Sequence, residues 1–337
     1  MVPGLNLVID LLKPPWKEQG VRLGTSTVED SLSSRFTTEI SKRVVGREDV
    51  VKLFLVSLFS QGHILLQGEP GLGKTTLAKA FAETIGGVYH RVQMTPDTLP
   101  ADILGTYVFD QRDASFELRK GPIFGNVILV DELNRATPKA QAALLEAMQE
   151  RQVSLEGQTL PLEEPFIVLA TQVPFGAPGT YPLSEVQADR FAFSLSLGYP
   201  SFDEEMKIIG TIDAIEDAHC SEIMTTKQIL RTVDDAQQIY VSEQVKRYII
   251  TLVNHLREST MFRIKPSTRT TITLLKGARA LALIEKRDHV LPDDVKFLAP
   301  YVFPHRAFLT AEALAEEVTP RSLIYEALQK VPVPKEG

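Results

Sequence analysis

The 337-residue chain has little of several features that define whole classes of protein. Its single cysteine, Cys220, excludes an internal disulfide and is typical of a reducing compartment. The longest apolar stretch, 50–59, contains Lys52 and is much shorter than the ~20 residues that a membrane-spanning helix requires. The first ten residues lack the basic segment of a signal peptide. These absences predict a cytoplasmic protein without membrane insertion.

The chain also has no excess of positive charge. The chain has 36 lysines and arginines against 43 aspartates and glutamates, a formal net charge of −7. No global field therefore attracts nucleic acid or an anionic membrane. A hydrophobic content of 44% and a charged content of 23% are ordinary for a soluble globular protein, and the length is sufficient for two domains.

What the chain does contain is a glycine-rich stretch that fits the phosphate-binding pattern GxxxxGK[ST]. A short apolar run precedes it at 63–67 and a helical pattern follows at 76–83, which is the context that this loop requires. Glycines let the backbone N–H groups converge on an anion, and the helix N-terminus adds its dipole. We expect a nucleoside triphosphate here, with Lys74 on its phosphates and Thr75 on Mg²⁺. The predicted nucleotide contacts are Gly68, Glu69, Pro70, Gly71, Leu72, Gly73, Lys74, Thr75 and Thr76.

A second element follows at 125–130, an apolar run that ends in Asp131 and Glu132. Such a run is typical of a central strand of a parallel sheet, and ligands bind beyond the carboxyl ends of these strands. Asp131 is predicted to hold Mg²⁺ and Glu132 to polarise the attacking water. The alternative is structural, with Asp131 or Asn134 capping the next helix.

The remaining pattern predicts four segments. Residues 1–34 form an extension, 35–199 an α/β core, 200–331 an all-helical unit and 332–337 a tail. Within the core, strands are predicted at 88–93 and 166–171 and a helix at 138–150. Two hairpins are predicted at 107–124 and at 151–165, the second with its tip at Glu156 and Gly157.

The residue sequences of these motifs closely resemble those of the MoxR family of AAA+ ATPases. The similar stretches are DELNRATPKAQAALLEAMQE at 131–150, FIVLATQ at 166–172, GTYPLSE at 179–185 and ADRF at 188–191. The resemblance covers about 36–304. It implies an αβα parallel-sheet P-loop NTPase core followed by a small all-helical lid domain. The two hairpins match the helix-2 insert and the pre-sensor-1 hairpin of the same branch.

The resemblance also implies roles for individual residues. Arg190 matches the arginine finger, which reaches a neighbouring subunit's γ-phosphate. Arg269, in KPSTR, matches the lid arginine called sensor 2, which contacts nucleotide of its own subunit. Val45 and Gly46 match the segment near adenine.

One position departs from the family pattern. In ATQVP at 170–174, Val173 replaces the usual sensor-1 asparagine and cannot form a side-chain hydrogen bond. Gln172 or Thr171 substitutes for it if the strand end shifts by one residue. Slow rather than absent hydrolysis of ATP is the expectation.

By resemblance, the protein is a chaperone-like ATPase that assembles as a hexameric ring. The family implies a partner with a von Willebrand factor A domain and a client complex that is matured or loaded with a metal cofactor. A nucleotide-dependent scaffold with slow hydrolysis is the alternative. A nucleic-acid motor fits less well, because the tip at 156–158 has no lysine or arginine. The absence of an Asn-Lys-x-Asp motif favours ATP over GTP.

Overall fold

A computed structural model describes residues 31–69, 71–173 and 179–334 of the protein. Its centre is a five-stranded sheet, whose strands are β1 Ile64–Gln67, β2 Tyr89–Gln93, β5 Val127–Asp131, β8 Ile167–Gln172 and β9 Phe193–Ser196. The strand order is β2-β5-β8-β1-β9, and every neighbouring pair is parallel. The β5 run VILVD is buried at every residue, as expected for a strand covered on both faces.

Helices cover both faces of this sheet. One face packs into a core shared with the first helices and the lid, and the other packs on the helix that follows Asp131. The core helices are α1 Leu32–Ile40, α2 Glu48–Phe59, α3 Lys74–Thr84, α4 Pro100–Leu104, α5 Pro138–Glu150 and α6 Glu185–Ala188. Helix α1 begins inside the segment predicted as an extension, because Ser31 caps it. Residues 1–30, with Trp16, lie outside the described residues.

Both predicted hairpins are present as two-stranded antiparallel ribbons. The first consists of β3 Gly105–Asp110 and β4 Ser115–Lys120, and the second of β6 Gln152–Leu155 and β7 Gln158–Pro161. The tip of the second ribbon is at 156–157, as predicted. The ribbons touch each other, because the hydroxyl of Tyr107 donates to Gln158 Oε1 over 2.7 Å.

The segment after β9 is mainly helical, as the pattern predicted, but it is not all-helical. Two short strands, β10 Phe262–Ile264 and β11 Phe308–Leu309, form an antiparallel pair inside it. They pair the segment before the helix that begins at Thr268 with the segment after the helix that ends at Val302. Both strands are too short to produce a periodic signal. The helices are α7 Phe202–Gly210, α8 Ile212–Asp217, α9 Thr226–Gln238, α10 Glu243–Glu258, α11 Thr268–Ile284, α12 Pro292–Val302, α13 Ala311–Ala315 and α14 Pro320–Lys330.

The predicted helix starts at Ser242, Ser267 and 292–294 are confirmed. Ser242 Oγ accepts from the N–H of Val245, and Ser267 Oγ accepts from the N–H of Arg269. None of the described helices is both long and apolar enough to span a membrane.

Candidate functional site

The glycine-rich stretch connects the carboxyl end of β1 to the first residue of α3, Lys74. Gly71 and Gly73 have φ angles of 83° and 73°, which L side chains rarely adopt. An added Cβ at either position would meet no atom within 4 Å, so the space beside the loop is open. A left-handed residue directly before a helix N-terminus turns successive N–H groups towards this space, which fits an anion such as a phosphate. Pro70 lies outside the described residues.

The side chain of Lys74 folds back over this loop. Its ammonium group donates to the carbonyl oxygens of Gly68 over 2.7 Å and of Glu69 over 3.2 Å. Burial lowers the pKa of Lys74, while the negative charges of Asp131, Glu69 and Glu132 raise it. The effect of Asp131 and Glu132 on this pKa indicates that the ammonium group lies on the side of the loop that faces the acidic end of β5. Thr75 is exposed on the first turn of α3, next to the same space.

Asp131 is the last residue of β5 and is buried. Its carboxylate accepts from Arg91 Nε over 2.6 Å and from the hydroxyl of Thr171 over 3.3 Å. The bond to Asp131 raises the pKa of Arg91, so the guanidinium is charged. Carboxylate and hydroxyl oxygens are the ligands that Mg²⁺ prefers, so Asp131 and Thr75 fit a magnesium site. Arg91 is half exposed and binds one carboxylate oxygen of Asp131, so water competes for this contact.

Glu132 adopts a left-handed conformation with a φ of 56°, held by its N–H donating to the Thr171 hydroxyl over 2.8 Å. Its carboxylate lies 2.6 Å from Arg135 Nε and accepts from Gln93 over 3.3 Å. The alternative that Asp131 or Asn134 caps the next helix is wrong, since the hydroxyl of Thr137 caps α5. Glu132 occupies the N-cap position of the 3₁₀ turn Leu133–Arg135, but its side chain forms no capping hydrogen bond there and is restrained by Arg135 and Gln93.

The carboxyl end of β8 lies beside this acidic pair. Val173 follows directly, and its N–H and C=O bond to the side chain of Asn134 over 3.0 and 3.1 Å. The strand end is not shifted, because Gln172 pairs with Gln67 in register. Thr171 is buried and committed to Asp131 and Glu132, so it is not available to substitute at the sensor-1 position.

Gln172, directly before Val173 in the chain, is the other residue named above as a substitute for the sensor-1 asparagine. Both residues line a cavity of about 460 Å³ that also reaches Gly68 and Glu69 of the loop and His305 of the lid. Gln172 is therefore placed where a nucleotide contact was predicted.

The predicted adenine segment forms the turn between α1 and α2. Gly46 has a φ of 70° and packs directly against Glu204 of α7, where a Cβ would clash. Val45 lies beside it and is half buried. The turn is fixed to the end of the core, since Arg47 donates to the carbonyl of Gly198 over 2.9 Å.

The predicted arginine finger lies at the other edge of the sheet. Arg190 comes just before β9, whose approach is fixed by the N–H of Ala192 donating to the carbonyl of His63 over 2.9 Å. His63 precedes β1, so Arg190 is near the amino edge, whereas the glycine-rich loop follows the carboxyl edge. Among the described residues, the Arg190 guanidinium has no hydrogen bond or ion pair.

Arg269 lies with Arg190 rather than with the glycine-rich loop. Its guanidinium donates to Asp189 Oδ2 over 3.0 Å, and Asp189 is the residue directly before Arg190. The packing of α11 against the core segment at 189–191, where Ser267 also donates to Asp189, gives Arg269 this position. Contact of Arg269 with nucleotide of its own subunit stays a prediction.

The structure thus assembles two groups from the predicted site residues. The glycine-rich loop, Asp131, Glu132 and Gln172 lie at the carboxyl edge, whereas Arg269 is bound to Asp189, the neighbour of Arg190, at the amino edge. The sequence motifs predict no role for the side chains that restrain these groups. They are Arg91, Gln93, Arg135, Asp189, His305 and Arg306.

The chain matches known families over both of its structural parts. Residues 63–193 match the model of the ATPase family associated with various cellular activities, and residues 254–327 match the AAA lid domain. The chain is 38% identical to the chaperone MoxR1 of Mycobacterium tuberculosis, over 96% of this chain and 86% of that protein. It is 40% identical to the uncharacterized protein YeaC of Bacillus subtilis, over 90% of this chain and 95% of that protein.

A solved structure shows the same architecture. The crystal structure of a protein from Cytophaga hutchinsonii, assigned as an ATPase, superimposes with a TM-score of 0.83. It is 38% identical in sequence and covers 89% of this chain and 94% of its own.

Proposed function

The chain belongs to the MoxR-type AAA+ ATPases, and from that premise we propose that it is a chaperone-like remodelling ATPase that hydrolyses ATP at interfaces between its own subunits. The observation that carries this proposal is the separation of the site into two edges. The predicted phosphate, magnesium and water-activating residues lie at the carboxyl edge. The predicted finger, Arg190, lies at the amino edge and has no partner among the described residues.

At the carboxyl edge, the chain supplies the groups that bind and orient the nucleotide. The N–H groups of the loop and the ammonium of Lys74 would hold the phosphates once Lys74 leaves the carbonyls of Gly68 and Glu69. Thr75 and Asp131 would hold Mg²⁺, which neutralises charge on the phosphates. Glu132 would orient the attacking water after it separates from Arg135.

At the amino edge, the chain supplies arginines to a nucleotide that is bound in the neighbouring subunit. Stabilisation of the transferred phosphoryl group by such an arginine contributes about 10³- to 10⁵-fold in rate. We assign this role to Arg190 and extend it to Arg269, because both are held at one surface. The proposal implies a head-to-tail assembly, and a closed ring such as a hexamer satisfies every site.

The work done by the ring is proposed by analogy with the relatives. A chaperone role follows from the similarity to MoxR1. Maturation of a client complex, insertion of its metal cofactor and a partner with a von Willebrand factor A domain are family expectations. Action in the cytoplasm is likewise an expectation.

The test is steady-state ATPase activity across protein concentrations for the wild type and for Lys74→Ala, Glu132→Gln and Arg190→Ala. We expect turnover per subunit to rise with concentration, because sites form only on assembly. Lys74→Ala should lose nucleotide binding, while Glu132→Gln and Arg190→Ala should keep binding and lose turnover. Turnover that is independent of concentration and insensitive to Arg190→Ala would refute hydrolysis between subunits.

A nucleotide-dependent scaffold remains the second candidate, and Val173 favours it. The backbone of Val173 is fixed by Asn134, and Val173 itself offers no polar side chain in place of the missing asparagine. Assembly driven by ATP binding, with turnover unchanged by Glu132→Gln, would support the scaffold instead.

A further inference from the structure

Asp189 is the point at which the lid and the finger segment of the core are joined. Its carboxylate accepts from Ser267 Oγ over 3.1 and 3.0 Å and from Arg269 over 3.0 Å. It also lies 3.3 Å from Nε of Arg306. All three partners belong to the lid, and Asp189 belongs to the core loop before β9.

The contact with Arg306 is shielded from solvent, because Arg306 is almost completely buried. Its side chain is 1% exposed. Burial lowers the pKa of Arg306 to about 10, against the opposing effect of Asp189, so it is charged at neutral pH. A buried charge without a counter-charge is strongly unfavourable, so Arg306 requires Asp189.

The same lid residues also fix the backbone that follows Arg190. Arg306 donates to the carbonyl of Phe191 over 2.7 Å, and His305 Nε2 bonds to that carbonyl over 2.8 Å. Burial lowers the pKa of His305 to about 3, so at neutral pH the ring is neutral and Nε2 carries the donated proton. Arg190 is therefore bracketed, with Asp189 held before it and Phe191 held after it.

This arrangement leaves an excess of positive charge at one surface. Arg190, Arg269 and Arg306 contribute three positive charges against the single negative charge of Asp189. The nearby pair Glu185 and Arg263 neutralise each other over 2.7 Å. Arg269 is 45% exposed, so the excess is presented by Arg190 and Arg269 and not by the buried Arg306.

We propose that Asp189 is a positioning residue that, anchored by Arg306, presents Arg190 of the core and Arg269 of the lid as one unit to the nucleotide of the neighbouring subunit. This inference rests on the proposed function. Two cations at a fixed spacing match a triphosphate better than two independent side chains, because no ordering is needed at the moment of reaction. A movement of the lid would then move Arg190 as well.

The experiment is complementation between inactive variants in mixed assemblies. Lys74→Ala has a damaged phosphate loop and an intact arginine surface, and Asp189→Asn has the reverse. We expect Asp189→Asn alone to lose at least about 10-fold in kcat, as misplaced catalytic groups do, with its affinity for ADP unchanged. Mixed with Lys74→Ala it should regain activity, and mixed with Arg190→Ala it should not.

Controls separate a positioning role from a folding defect. Glu185→Gln removes the neighbouring ion pair between core and lid and should leave kcat unchanged. Asp189→Glu keeps the negative charge and should restore part of the activity. If Asp189→Asn fails to fold, Asp189→Asn/Arg306→Gln removes the buried charge together with its counter-charge and takes its place.

The outcomes also separate this inference from the proposed function. If Lys74→Ala rescues Arg190→Ala but not the folded Asp189 variant, the role of Asp189 is refuted and action between subunits stands. A loss of ADP affinity in the Asp189 variant would refute it too, since the residue would then act on its own subunit's site. If Lys74→Ala fails to rescue Arg190→Ala, both proposals fall.

Discussion

The two edges of the central sheet each carry an aspartate bound to an arginine, but the two pairs differ in kind. At the carboxyl edge, the Arg91 side chain is 49% exposed over Asp131. At the amino edge, the Arg306 side chain is 1% exposed beside Asp189. An exposed partner is able to leave its carboxylate at little cost, whereas a buried one is not.

This difference assigns different work to the two carboxylates. In the proposed mechanism, Asp131 exchanges its arginine for Mg²⁺ in each catalytic cycle, and a solvent-exposed partner suits this exchange. In the same proposal, Asp189 keeps its buried arginine through the cycle and thereby holds Arg190 in position. The same substitution at the two edges should therefore have separable consequences.

The largest effect is expected for Asp131→Asn. Loss of the carboxylate removes the group proposed to hold Mg²⁺ through water, and removal of such an outer-shell partner costs about 10- to 100-fold in metal affinity or activity. In mixed assemblies, Arg190→Ala should rescue Asp131→Asn, and Lys74→Ala should not. This is the opposite of the pattern expected for Asp189→Asn. ATPase assays of the two mixtures, run in parallel, test it, and identical patterns for the two aspartates would erase the distinction between the edges.

A smaller effect is expected for Val173→Asn, which adds a polar side chain to the carboxyl edge. We expect kcat to rise about 10-fold, less than the roughly 10²-fold that removal of one established donor costs. The backbone of Val173 is already fixed by Asn134, so the new amide can point into the cavity without a shift of the strand. Single-turnover hydrolysis measures the chemical step directly. Unchanged turnover would show that Gln172 already performs the sensor-1 role or that another step limits the rate.

The carboxyl edge was largely predictable from the sequence because its signals are local. The glycine-rich loop, Asp131 and Glu132 each lie within a few residues of a strand whose apolar run marks its position. The hairpins and the caps at Ser242 and Ser267 were predicted for the same reason.

The amino edge was not predictable in this way. The partners of Asp189 are 78 to 117 residues distant in sequence, and no periodicity connects them. The position of Arg269 depends on how the lid packs, which a motif does not specify. The short strands β10 and β11 escaped prediction because three and two residues carry no pattern.

The smallest effect is expected for Arg135→Ala, which tests whether the exposed partners of the carboxyl edge restrain catalysis. Arg135 lies 2.6 Å from Glu132 and is 43% exposed, so the ion pair is screened by solvent. Releasing Glu132 should raise basal turnover about 2- to 5-fold, the range expected from the free energy of an exposed pair. The matched control is Lys246→Ala, which removes a lid ion pair with the same i,i+3 spacing, to Glu243. A loss of activity in Arg135→Ala would mean that the arginine positions Glu132 for catalysis. The carboxyl edge would then resemble the amino edge, with a partner that has to stay in place.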